Sequence, residues 1–129
     1  LGVCGSEEQT QAYWKGVNPF SIQNAKVTDG TGVELEIQNR DTKKLVLTQV
    51  TLDANPIMST NVSANKLFNG GQTQVVGNAT IDTATEFGCN GVGSSYVIRI
   101  ISFTYSTTGG QAISGITQTG DKPLQGKCA

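Results

Sequence analysis

Histidine is absent from this sequence, so the residues able to do chemistry reduce to three cysteines, ten carboxylates and two Asn-x-Ser/Thr triplets. Without histidine there is no Ser-His-Asp or Cys-His nucleophile and no imidazole ligand for zinc. Cys4, Cys89 and Cys128 are too scattered for CxxC spacing. No Walker loop or GxGxxG fingerprint occurs. Gly88-Cys89-Asn90-Gly91-Val92-Gly93 is glycine-rich, but no helix pattern follows it, and it reads as a connector. The local carboxylate pairs are Glu7-Glu8 and Glu34 with Glu36. Glu34 and Glu36 lie two apart on a strand and share its wet face, as solvated sheet surface does. Asp53, Asp82 and Glu86 could ligate calcium but lack EF-hand spacing. The expectation is a non-enzyme with no catalytic residue, no cofactor and no metal.

The remaining chemistry is covalent modification. Asn61-Val62-Ser63 and Asn78-Ala79-Thr80 are acceptor triplets for N-glycosylation in an exported protein. Three cysteines leave one over if two pair. Tyr13 and Trp14 form an aromatic pair that could touch a sugar or a partner, but a lid over one end of the core is the better reading.

The elements that must position these residues are strands. Thr, Ser, Asn and Gln total 44 of 129 residues, sixteen glycines join them, and charged residues are only 15%. An average domain has about 25% charge. This is the palette of a secreted or surface β-protein, since Thr suits strands and Gly and Asn suit turns. Net charge is −1 and the densest basic pair is Lys43-Lys44. Nucleic-acid binding needs clustered cations, and membrane spanning needs about 18 apolar residues in a row. Neither feature occurs.

Residues 6–14 read as a short helix or extended lead-in. From Phe20 onward the period is two. Val33, Leu35 and Ile37 alternate with Glu34, Glu36 and Gln38, which gives a strand with one wet face. Residues 21–28, 44–52 and 73–81 read as further strands, and 57–68 may be credited with one short strand at most. Tyr96 to Tyr105 is apolar on both faces and reads as one central strand. Thr107-Thr108-Gly109-Gly110 turns it back into 111–119. A turn centred between Thr108 and Gly109 would set Cys89 opposite Cys128 in an unbroken hairpin, within disulfide reach. Asp121-Lys122-Pro123 interrupts that hairpin, and Cys4 bonded to either partner is the alternative. The expected fold is an all-β, immunoglobulin-like sandwich of about seven short antiparallel strands over 20–129, preceded by a lead-in over 1–19.

Three stretches, taken in order, resemble a known family. Pro19-Phe20-Ser21-Ile22 leads into Gly32-Val33-Glu34-Leu35-Glu36-Ile37-Gln38-Asn39 and Leu45-Val46-Leu47-Thr48-Gln49-Val50-Thr51-Leu52. Tyr96-Val97-Ile98-Arg99-Ile100 and Phe103-Thr104-Tyr105 follow, and the chain closes on Gly126-Lys127-Cys128. The pattern resembles the globular domain of archaeal type IV pilins and pilin-like proteins, those made with a class III signal peptide. The resemblance implies a subunit or minor component of a surface filament that supports assembly and adhesion at the cell surface. Its implied partners are copies of itself or other pilin subunits, with surface glycans as a further candidate, and no nucleic acid. It implies membrane contact only through a long apolar helix that in the family precedes this domain, with residues 1–19 as the stub after it. The alternative expectation is a ligand-binding immunoglobulin-like module, for carbohydrate or adhesion, within a larger secreted protein.

Overall fold

Over the described residues, alternating apolar residues and frequent turn signals build ten strands and two helices. The computed structural model describes residues 3–53, 55–58, 66–109 and 113–129. In chain order the elements are α1 (Val3–Gly16), β1 (Phe20–Val27), β2 (Thr31–Asn39), β3 (Leu45–Leu52), β4 (Asn55–Met58), β5 (Lys66–Phe68), β6 (Thr73–Asp82), α2 (Thr83–Phe87), β7 (Ser95–Ile98), β8 (Ile101–Thr107), β9 (Ile116–Thr119) and β10 (Leu124–Lys127). All strand pairs are antiparallel.

In one sheet β2 lies between β1 and β6. Val33, Leu35 and Ile37 are buried there, while Glu34 faces solvent and Glu36 is half-buried, as the period of two requires. In the second sheet β3 is central. β8 pairs with one edge of β3 along its length. The other edge is shared: β5 takes Leu45–Leu47 and β4 takes Val50–Leu52. β7 and β10 form a separate two-stranded ladder. The result is all-β and sandwich-like.

Aromatic rings fill the interior. Phe20 lies 5.3 Å from Phe68 and 5.9 Å from Phe103, and Trp14 lies 6.2 Å from Phe103, centroid to centroid. These spacings suit tilted and edge-on packing. One side-chain amide joins two sheet edges. Gln118 of β9 donates Nε2–H to the Phe20 carbonyl at 2.8 Å and accepts the Phe20 N–H at 3.1 Å. It thereby acts as a ladder rung between β1 and β9.

Among the described residues there are ten strands where about seven were expected. The lead-in, expected as a short helix over 6–14 or an extended stretch, is a 14-residue helix, and its fully buried Trp14 joins the core. One expectation is overturned: Tyr96 to Tyr105 is not one central strand. It breaks at Arg99-Ile100, and its halves join different sheets. Asp53, at φ 48°, forces the break. Its N–H donates to the Ile100 carbonyl and its Oδ1 accepts the Ile100 N–H, both at 2.8 Å. This satisfies the backbone of Ile100 outside any ladder. α2 is a further element that the strand pattern does not announce. Asp82 caps it by accepting from Thr85 N, and Gly88 ends it at φ 84°. Hydrogen bonds from the Thr85 side chain and backbone hold the Asp82 carboxyl below its ordinary range.

Cys89 and Cys128 are bonded, with their sulfurs 2.04 Å apart. The register that set them opposite each other does not hold. β8 and β9 pair Tyr105 with Ile116, which centres their connection two residues further on. β10 and β7 pair Lys127 with Ser95, and the Cys128 N–H donates to the Ser94 carbonyl, so Cys128 stands opposite Ser94. Cys89 arrives because residues 89–94 fold back. The Ser94 N–H bonds the Gly91 carbonyl, the Asn90 N–H bonds Ser94 Oγ, and Gly91 and Gly93 both take positive φ.

One buried polar side chain stitches two loops. Asn39 is fully buried at the end of β2. Its Nδ2 donates to the carbonyls of Lys43 at 2.8 Å, and of Phe68 and Asn69 at 3.3 Å, and its Oδ1 accepts from Asp41 N. Replacing Asn39 with Ala leaves these groups unsatisfied, and buried orphans are costly. The Asn39→Ala variant is expected to lose about 2 kcal/mol in urea unfolding, with the slope of the transition unchanged.

Candidate functional site

The densest set of specific long-range polar contacts lies where α1 meets the C-terminal segment. One face of α1 presents Thr10, Tyr13 and Trp14, which is helical spacing, and Val17 follows just past its end. Trp14 Nε1–H donates to the Lys122 carbonyl at 3.1 Å, with the Pro123 carbonyl at 3.3 Å. The indole lies against Gly120, where an added Cβ would run into its six-membered ring. Tyr13 OH accepts from Asp121 N at 2.8 Å, and the Lys122 ammonium sits 5.7 Å above the Tyr13 ring. Gln11 Nε2–H donates to the Gln125 carbonyl at 2.9 Å, and Thr10 Oγ1 accepts from Gln125 N at 3.2 Å. Farther up the helix, Glu7 pairs with Lys127 at 3.4 Å and accepts from Ser95 Oγ at 3.3 Å. Arg40 Nη1 and Gln23 Nε2 donate to the Lys15 carbonyl in the last turn.

The helix is therefore clamped along three turns by residues 120–127 and by β1. Behind it, Tyr96 packs on Gly126, where a Cβ would meet the ring at 2.6 Å. Burial, and then the nearby Glu7 carboxylate, pushes the Tyr96 phenol up to about 12, so it stays neutral. Tyr13 and Trp14 were expected as a lid, and Trp14 is one. The supporting partners Thr10, Gln11, Gly120 and Gly126 were not foreseen. The one signal for them was the i, i+3, i+4 spacing of Thr10, Tyr13 and Trp14.

The candidate chemical residues do not converge. Glu34 and Glu36 lie on the outer side of β2, while Glu7 and the exposed Glu8 lie on α1. Asp53 shapes the break before β8, Asp82 caps α2, and Glu86 accepts from Asn55 Nδ2 at 2.8 Å. Among the described residues no three His, Cys, Asp or Glu side chains group as a metal site. Asn61 lies outside the described residues. Asn78 sits in β6, where its Oδ1 accepts from Thr80 N at 2.8 Å and Thr80 Oγ1 at 2.6 Å. One Nδ2 hydrogen goes to the Pro56 carbonyl at 3.2 Å. The amide nitrogen carries a second hydrogen.

A cleft of about 70 Å³ lies between α1 and β1, lined by Gln11, Lys15, Gln23, Asn24 and Tyr96. Small-molecule sites are typically about 300–1,000 Å³. Among the described residues no helix is long and apolar enough to cross a membrane. No family model matches the chain, and neither a curated protein nor a solved structure matches it.

Proposed function

We propose that this chain is the globular head of a pilin-like subunit in an archaeal type IV pilus-like surface filament, supporting assembly and adhesion. The observation that supports this reading is the clamp. An N-terminal helix held along three turns to a β-sandwich is the part a filament subunit needs to join a helical core rigidly to an exposed head. In this reading the head is extracytoplasmic, which fits a buried disulfide. It acts by assembly and contact, not by catalysis. Its partners are copies of itself or other pilin subunits, and Asn61 and Asn78 are its candidate glycan acceptors.

The test is native. Filaments sheared from cells expressing the complete gene are analysed by mass spectrometry, with a gene deletion as control. The reading predicts this chain in the filament fraction and loss of those filaments, or of adhesion, on deletion. Recovery only as one domain of a larger secreted polypeptide would replace it with the ligand-binding module.

A further inference from the structure

The two ends of the sandwich carry opposite, unpaired charge. β2 spans nine residues, about 30 Å, between them. Past its last residue come Arg40, Lys43 and Lys44, all exposed. Arg40 reaches the Lys15 carbonyl at 3.2 Å, which brings the exposed Lys15 to the same end. Asp41 is the carboxylate among these four cations, and its Oδ1 is turned back toward Lys43 N. Before the first residue of β2 lies the turn bearing Asp29. Thr83 ties α2 to that turn, through Thr83 N to the Gly30 carbonyl at 3.1 Å and Thr83 Oγ1 to the Thr28 carbonyl at 2.6 Å. The tie brings α2, and with it Asp82 and the half-buried Glu86, to the Asp29 end of the fold. Of the cations, Arg99 is taken by Asp53 at 3.5 Å, and the exposed Lys26 of β1 stands three residues before Asp29, so the carboxylates outnumber the cation there. Among the described residues the only ion pairs are Asp53–Arg99 and Glu7–Lys127. Neither Lys15, Arg40, Lys43 and Lys44 nor Asp29, Asp82 and Glu86 have an intramolecular partner of opposite charge there.

We propose that these ends are the two halves of one interface. The Lys15/Arg40/Lys43/Lys44 end of one copy docks on the Asp29/Asp82/Glu86 end of a second copy. The occupant is this chain because the complementary charge is present on it, at the opposite end of β2. Two different patches at opposite ends make a head-to-tail contact, and such contacts propagate into open filaments rather than closing as dimers. The inference rests on the filament reading and supplies its axial contact. Opposed exposed charges attract over a Debye length, roughly 30 Å at 0.01 M salt and 10 Å at 0.1 M.

Sedimentation velocity on the purified chain tests this without any variant. Self-association is expected in about 0.01 M salt and is lost in about 0.5 M. A chain that stays monomeric in low salt at its highest soluble concentration overturns the proposal. Two variants then assign the ends. Lys43→Glu with Lys44→Glu makes both ends acidic, and Ala84→Lys with Glu86→Lys cancels the negative charge of the α2 end while leaving the Lys15/Arg40 end basic. Thermal melting confirms that each is folded. Each alone is expected to associate roughly tenfold or more weakly, and an equimolar mixture recovers association, because acidic ends meet basic ends. Variants that associate like the parent, or a mixture that does not recover, also overturn the proposal. Filaments on cells together with a monomeric chain in low salt would remove this contact and leave the filament reading standing.

Discussion

Replacing Trp14 with Ala should cost about 4 kcal/mol, the usual range for emptying a buried aromatic site. The indole is fully buried and touches Phe103, Gly120 and the Lys122 carbonyl. Its removal opens a large cavity and orphans that carbonyl, and the two costs act together. α1 also loses its deepest anchor, so the helix should detach before the sandwich unfolds. Trp14 is the sole tryptophan, so the readout is far-UV circular dichroism in urea, with amide exchange across residues 3–16 and 120–127. Fast exchange confined to those segments identifies the clamp as a cooperative unit. A variant as stable as the parent would show that the helix is an appendage. The converse substitution, Gly120→Ala, pushes a methyl into the ring from the other side and should weaken the same contact.

The second large effect belongs to the crosslink. Cys89 and Cys128 are 39 residues apart, and closing a loop of that length in the unfolded chain is worth about 4 kcal/mol on the chain-entropy account. The double variant Cys89→Ser, Cys128→Ser should therefore lose about 3–4 kcal/mol in urea unfolding. Both cysteines are buried, so reductant should act on the native protein only through opening events. Reduction should accelerate steeply in mild denaturant. Peptide mapping of the unreduced protein should give the Cys89–Cys128 peptide. Recovery of Cys4 linked to Cys128 would contradict both the bond and the magnitude.

How far the sequence could be read depended on what each segment packs against. β2 was plain because one face is wet and one dry, so Val33, Leu35 and Ile37 announce themselves. The break at Arg99-Ile100 was hidden because Ile98, Ile100 and Ile101 are all apolar. What ends β7 is Asp53, 47 residues away, donating to and accepting from Ile100. No local window contains that pair. α1 was faint because it buries itself through few apolar residues and many hydrogen bonds. Gln11 and Thr10 grip the backbone of Gln125, and periodicity does not register such grips. α2 had a local signature that went unused, an Asp82 cap and a Gly88 stop five residues apart from start to end of the helix. The disulfide shows a correct pair reached by the wrong register. The fold-back of residues 89–94 compensates for a ladder that sets Cys128 against Ser94. Of the candidate acids, Glu7, Asp53, Asp82 and Glu86 are each held by a neighbour that its spacing does not reveal.

The Gln118 rung, the helix clamp and the crosslink have a joint mechanical consequence. Tension applied along α1 passes through Trp14 and Gln11 into residues 120–125 and so into β10. β10 pairs with β7 by backbone hydrogen bonds, and just beyond its last residue Cys128 is covalently tied to Cys89. The pull therefore ends on a covalent bond at the foot of the strand. On the other side, the β1 edge next to α1 is tethered to β9 by Gln118. A tugged head should yield first by loss of the α1 contacts and should retain its sandwich, with an extension before rupture that lengthens when the crosslink is reduced.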